Sequence, residues 1–330
     1  MENSIRDLIN KAIIVNKENL NNNLKEIIKE IAKALEVNKD LLDTSNRIDI
    51  TKENGFSIDH KIFTNIINNI EKEELLLGSI LLENKDQDIV YQKGLTSIGN
   101  VIAISNGNPY INFELLLRNL LAGNSCILVN NGYMYATNMF LVKTIQDVLE
   151  KFNFSRDFVS MYNSEDYEDI FNDFINIDLV VVVGDRDLQN RILRLSPVKV
   201  ISSGYENFDI YIEDKTNIDF IKEIMNLGLN INIYLEQDLD IEIEGAMLVS
   251  GIDEAIGQIN YTGNRYAAAI FTNSNDNANK FTREVKASIV TVNTSPTIER
   301  ILDIKQESLL KEKIVIYPNN YKIKNSYNFE

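Results

Sequence analysis

The chain of 330 residues contains no tryptophan, one cysteine (Cys126), one histidine (His60) and four prolines. A single cysteine cannot close an internal disulfide, which fits a reducing cytoplasm. One cysteine and one histidine also leave no Cys-rich zinc site and no His-based metal site, so no metal is expected. Basic charge is in short supply: 33 Lys and Arg stand against 49 Asp and Glu, a net charge of −16. A nucleic-acid binder needs a basic surface to displace counterions from phosphates, and anionic membranes make the same demand, so neither partner is expected. Long apolar runs are missing as well. No segment approaches roughly eighteen uninterrupted apolar residues, and the first twenty residues, MENSIRDLINKAIIVNKENL, hold no apolar h-region. The expectation is a cytoplasmic protein, neither secreted nor membrane-spanning.

What is present suits an ordinary globular chain: 44% of residues are hydrophobic and 25% charged. The length favours about two domains, each able to bury its own core. Apolar residues at helical spacing (Ile5, Leu8, Ile9, Ala12, then Leu24, Ile27, Ile28, Ile31, Leu35) predict two amphipathic helices within 4–36, broken near Asn16. A turn at Asn54-Gly55 precedes another, with Ser57 as N-cap and Ile62, Phe63, Ile66, Ile67 and Ile70 as its buried stripe. From residue 96 short apolar runs alternate with helices: 98–105, a helix over 113–121, 126–129, a helix over 137–151, 178–183 and 198–202. Continuous β-branched runs alternating with helices predict a parallel sheet covered on both faces. The last third repeats the alternation, and no Pro/Gly-rich linker separates the halves.

Two acidic clusters stand out. Asp238, Asp240, Glu242 and Glu244 alternate with Leu239, Ile241 and Ile243, which predicts a strand with a solvated acidic face; no glycine-turn ligand loop frames a calcium site there. Glu165-Asp166-Tyr167-Glu168-Asp169 reads as an acidic helix N-terminus favoured by the macrodipole.

The stretch LKEIIKEIAKALEVNKDLLDTSNRIDITKENGFSIDHKIFTNIINNI resembles the N-terminal helices of gamma-glutamyl phosphate reductases. KGLTSIGNVIAISNGNPYINFELLLRNLLAGNSCILVNNG is similar to the first nucleotide-domain strand, helix and second strand of the aldehyde dehydrogenase superfamily, and its Asn108-Pro109 resembles the acylating, CoA-dependent members. DLVVVVGDRDLQNRIL resembles the strand–turn–helix that faces the cofactor phosphates, and ISSGYENFDIYIED the strand that opens the catalytic domain. DEAIGQINYTGNRYAAAIFTN and VKASIVTVNTSPT follow in the family's order, so the resemblance covers most of 24–297. It implies an aldehyde dehydrogenase-like α/β fold: N-terminal helices and a Rossmann-like, parallel-sheet nucleotide-binding-type domain over 1–201, a smaller α/β catalytic-type domain over 202–297, and a C-terminal arm over 298–330. It also implies that Asn108, Pro109, Gly184 and Gly204 would face a bound NAD(P).

Family members attack a carbonyl or acyl phosphate with a thiolate, exchange hydride with NAD(P) and resolve a thioester. The resemblance places that nucleophile after the helix at 218–225, where this chain reads NLGLNINIYLEQDL and offers only Asn230, Asn232 or Tyr234. An amide is not nucleophilic, and a phenol of pKa near 10 is a poor substitute. Cys126 falls in an apolar strand and reads as a small hydrophobe; His60 has no Ser or Cys partner supplied by a motif. The cofactor signal is thin too. Gly184 is followed by Asp185 and Asp187, acids where a pyrophosphate should meet backbone N–H groups, and no G-x-G-x-x-G exists. Val129-Asn130-Asn131 replaces the usual lysine stretch, and Ser202 stands roughly where many members keep a general-base glutamate. The expectation is a catalytically inactive aldehyde dehydrogenase-like protein retained for binding or assembly, binding NAD(P) weakly if at all, as a homo-oligomer or beside an active paralogue. The alternative is a working NAD(P)-dependent oxidoreductase acting on an aldehyde, acyl phosphate or acyl-CoA. Lys313–Tyr317, a β-prone run ended by Pro318, either crosses to another subunit or folds back on its own domain.

Overall fold

A computed structural model describes residues 4–15, 23–52, 55–86, 88–164, 166–172, 176–184, 186–204, 208–215, 217–225, 231–262, 267–296, 302 and 304–319. The break expected near Asn16 lies outside these residues. In chain order come helices α1 (Ile5–Val15), α2 (Leu24–Val37), α3 (Lys39–Thr51) and α4 (His60–Lys72), then strands β1 (Ile80–Lys85), β2 (Ile89–Ser97) and β3 (Asn100–Ser105). Alternation follows: α5 (Pro109–Leu121), β4 (Ser125–Asn130), α6 (Tyr135–Lys151), β5 (Val159–Asn163), α7 (Tyr167–Asn172), β6 (Leu179–Gly184), α8 (Arg186–Leu195) and β7 (Val200–Gly204). The chain continues with β8 (Phe208–Ile212), α9 (Ile218–Met225), β9 (Ile231–Glu236), β10 (Met247–Val249), α10 (Ile252–Thr262), β11 (Ala267–Phe271), α11 (Asn275–Glu284), β12 (Ile289–Val292) and β13 (Leu310–Pro318). Two compact units result: Met1–Gly55 with His60–Ser203 and Ile304–Glu330, and Phe56–Asp59 with Gly204–Asp303.

The first unit is built on a sheet of order β5-β4-β3-β6-β7 whose β3–β4, β3–β6 and β4–β5 pairs are parallel. Its central strands β3, β4 and β6 are buried along their whole length and apolar through their middles because both faces are covered. On one face Ile102, Ile104, Val129, Val180 and Val182 pack with Ile5, Leu8 and Ile9 of α1 and Ile192 of α8. The alternate residues, Cys126 among them, point the other way, and α5 packs on β3 and β4. Asn108 caps α5 and Pro109 opens it, a residue whose missing N–H costs nothing there. All thirteen residues of α5 are buried, so its charges need internal partners. Arg118 Nε donates to Glu114 Oε1 at 2.8 Å and its Nη1 to Glu73 Oε1 at 2.9 Å.

The β-prone run Lys313–Tyr317 folds back within its own unit as part of β13, in an antiparallel sheet β1-β2-β13 where it lies along β2 from Leu310↔Ser97 to Pro318↔Ile89. β1 and this pairing had no counterpart in the sequence pattern. All six residues of β1 are exposed, and so are Ile314 and Ile316 of β13. The base of β13 is anchored from within: Asn124 Nδ2 donates to the Leu309 carbonyl at 2.9 Å, and Gln306 Oε1 accepts from Leu76 N at 3.1 Å.

The second unit holds a parallel sheet of order β10-β9-β8-β11-β12. Tyr211, Tyr234, Ala268 and Ile270 pack with Ala255, Ile256 and Ile259 of α10 and Phe281 of α11. The strand expected over 238–244 is absent: residues 237–246 run as turns and irregular backbone. β10 takes the sheet edge beside β9, so the acidic alternation has no ladder to join. The acidic start of α7 forms as expected from Ser164, Asp166 and Glu168, with Asp166 Oδ1 accepting from Glu168 N at 2.9 Å; Glu165 lies outside the described residues. Among the described residues no helix is long and apolar enough to cross a membrane.

Candidate functional site

In the first sheet the chain runs outward from β3 through β4 to β5, then resumes on the other side at β6. Ligands of open parallel sheets bind beyond the carboxyl ends of the strands at such a reversal. The structure puts Asn108 and Pro109 there, just past β3, and Gly184 at the end of the neighbouring β6; Gly204 ends the outer strand β7. The first three already have internal work. Asn108 Oδ1 accepts from Tyr110 N at 3.0 Å. The Gly184 carbonyl accepts from Gln189 Nε2 at 2.8 Å, and a Cβ on Gly184 would sit 2.5 Å from Leu188 Cδ2, so side chains of α8 already press on this turn. Asp187 occupies the first turn of α8, and Asp185 lies outside the described residues.

An amide network ties the loops around this edge. Ser105 Oγ donates to Asn112 Oδ1, Asn112 Nδ2 to Asn138 Oδ1 at 3.0 Å, and Asn138 Nδ2 to the Gly107 carbonyl at 2.7 Å. Gly107, at φ +90°, admits no Cβ: one would lie 2.8 Å from both Asn130 Oδ1 and the Tyr133 carbonyl. Among the described residues the Asn130 side-chain amide has no hydrogen-bond partner, yet it is fully buried and lies against Gly107. A carboxylate that sequence reasoning missed holds the N-terminus of α6. Asp49 Oδ1 accepts from Ala136 N at 3.0 Å, and Oδ2 accepts from Thr137 N at 2.9 Å and Thr137 Oγ1 at 2.7 Å. Fixed anionic charge thus sits where orphan helix N–H groups would otherwise attract an anion.

The groups available for nucleophilic chemistry are placed as follows. Cys126 is 1% exposed in β4, and burial pushes its thiol up to about 12, far from the thiolate a nucleophile needs. His60 opens α4 and shares a 2.6 Å contact between Nε2 and Asp43 Oδ1. Asn230 lies outside the described residues. Asn232 and Tyr234 lie on β9, turned toward β8: Asn232 Nδ2 donates to Asp209 Oδ1 at 2.9 Å, and the Tyr234 hydroxyl lies 3.4 Å from the same oxygen. Ser202 is exposed on β7. Among the described residues no group of three or more His, Cys, Asp or Glu could hold a metal ion.

Asp209 is the unusual titratable group of the second unit. It is 2% exposed, and burial raises its carboxyl from 3.8 to about 6, only partly opposed by the hydrogen bonds from Asn232 and Tyr234. Farther along the same face Tyr211 donates to Glu236, and Glu213 accepts from Thr272 Oγ1 and Asn277 Nδ2. Burial first, then the bond to Glu236 and the nearby Glu236 and Glu213 charges, raise the Tyr211 phenol above its usual range. It stays protonated and serves as a donor.

No family model matches the chain. It is similar to the gamma-glutamyl phosphate reductase of Dictyoglomus thermophilum, 23% identical over 347 aligned positions that take in 84% of each chain. Among solved structures, gamma-glutamyl phosphate reductase of Thermotoga maritima superposes with a TM-score of 0.62 at 17% identity, covering 96% of this chain and 98% of that one. A propionaldehyde dehydrogenase from the fucose utilisation microcompartment of Clostridium phytofermentans gives 0.68 at 12% identity, covering 97% and 98%.

Proposed function

We propose that this chain, similar in sequence to gamma-glutamyl phosphate reductases and in fold to aldehyde dehydrogenases, is a catalytically silent member of the aldehyde dehydrogenase superfamily retained for binding or assembly. The observation that carries this is the position of the only thiol. Thioester chemistry needs a thiolate within reach of a bound carbonyl. Cys126 is enclosed in the first unit's sheet, its proton held by burial, and the second unit contains no cysteine.

The residues at the strand ends do not fit a dinucleotide. Asn108 is committed to capping α5, the Gly184 turn is filled by Leu188 and Gln189, and α8 carries Asp187 in its first turn. These features support weak or absent NAD(P) binding, so no step is derived through it. Assembly is supported by the β1-β2-β13 sheet. Ile80, Leu81 and Leu82 of β1 and Ile314 and Ile316 of β13 are exposed on a sheet whose two outer strands have no further strand partner among the described residues, a surface that isolated proteins avoid. A second copy of this chain, or an active paralogue, would cover it.

Intact-mass spectrometry after incubation with a small acyl-CoA or acyl phosphate tests the reading. The unmodified mass is expected; a thioester adduct on Cys126 would overturn it.

A further inference from the structure

A cavity of about 270 Å³ opens between α2, α3 and α4, in the N-terminal helical part of the first unit, and neither the silent catalytic site nor the assembly surface uses it. Its apolar wall is Leu35, Leu42, Phe63 and Ile67, all buried. Phe63 is held in place from behind, its ring centroid 4.9 Å from that of Tyr110 and 5.4 Å from that of Phe113 in an edge-on contact. The space exists because short side chains, Ala32 on α2 and Thr64 on α4, line it where facing helices would normally interdigitate. Native interiors seldom leave such volume between helices, since filling it adds stability.

The rim has one sign of charge to offer. Lys33 is taken by Glu30, Nζ to Oε2 at 3.1 Å. Glu36 also lines the cavity, is exposed, and among the described residues takes part in no ion pair. Asn68 adds an amide carbonyl, and His60 adds a ring whose Nε2 is fixed on Asp43 at 2.6 Å. An anion would meet Glu36; a cation would meet an acceptor, a carboxylate and an aromatic ring. The chain's −16 net charge favours the same choice at long range.

We infer that this cavity is a binding site for a small organic cation, a primary ammonium carried on a single apolar ring or short chain, with the apolar part against Phe63 and Leu42 and the ammonium on Glu36. The size is that of a compact ligand, just under the usual range for drug-sized pockets.

Calorimetric titration of the full chain at neutral pH with phenethylammonium, 2-phenylethanol and 3-phenylpropionate provides the test. These probes share a ring and differ in charge. Phenethylammonium should bind with a Kd below about 1 mM, the alcohol about tenfold more weakly, and the carboxylate not measurably. Glu36→Gln, an exposed change that leaves the melting temperature alone, should weaken the ammonium about tenfold. Thr64→Trp, which fills the mouth from an exposed position, should abolish binding while the far-ultraviolet dichroism stays native. Equal binding of all three probes, ammonium binding that survives both substitutions, or no ammonium binding at several times the expected Kd would each overturn the assignment.

Discussion

Replacing Asp209 by asparagine should stabilise the second unit at neutral pH and destabilise it by about 1 kcal/mol near pH 4. In the folded chain Asp209 keeps its proton up to about pH 6, whereas the unfolded chain has lost it by about pH 4. The folded state therefore binds the extra proton between those values, and stability falls as pH rises through that window, remaining lower above it. A displacement from 3.8 to about 6 corresponds to about 3 kcal/mol at pH 7.5. Asparagine carries no proton to lose, and its carbonyl can still accept from Asn232 Nδ2. Its new amide N–H groups gain no partner from β9, a cost of about 1–2 kcal/mol. The net gain should be about 1–2 kcal/mol at pH 7.5. Because two units unfold, a single melting curve would mix them. Amide hydrogen exchange on peptides covering β8 and β9, corrected for the intrinsic pH dependence of exchange, reads the second unit alone. Wild-type protection should drop at least tenfold between pH 4.5 and 7.5, with Asp209→Asn flat across the range. A flat wild-type profile, or a variant less protected than wild type at pH 7.5, would refute the reasoning.

Asp49→Ala removes three hydrogen bonds at the start of α6 and should cost about 2 kcal/mol, visible as a lower melting temperature, with Asp49→Asn recovering part of it. Arg118→Met leaves the buried Glu114 carboxylate without its partner and should destabilise the first unit by about 3–5 kcal/mol in urea melts; adding Glu114→Leu should restore most of the loss. Ile314→Glu with Ile316→Glu places charge on the exposed face of β13, so light scattering should shift from a closed oligomer to monomers while dichroism stays native.

The first unit's parallel sheet could be read from the sequence because its central strands, such as Leu179–Val183, are apolar runs that sit between helices. The second unit showed only the strand–helix alternation, since its strands carry polar residues such as Asp209 and Asn232. α3 could not be found by its periodicity, since the residues it buries are Leu42, Asn46 and Asp49, and two of those three are polar. β1 buries none of its residues and so leaves no alternation to detect, whereas 238–244 alternates without being a strand. At the candidate site the local features were legible: Asn108 before Pro109 is an N-cap signature, and Gly184 closes an apolar run. The contacts that decide its chemistry were not. Asp49 reaches α6 from nearly ninety residues away, and its sequence neighbours carry no capping pattern for it. The missing thiol, by contrast, is a matter of composition and needed no structure to be seen.

Steady-state turnover tests catalytic silence most directly. Purified protein is mixed with NADH or NADPH and an acyl phosphate or acyl-CoA, and separately with an aldehyde and NAD(P), while absorbance of the reduced nicotinamide is followed. With no thiolate available, the rate should equal the protein-free control for wild type and Cys126→Ala alike. Turnover above that control would contradict the assignment, whether Cys126→Ala abolishes it, which would make the buried thiol the nucleophile, or leaves it intact, which would mean a cysteine-free route.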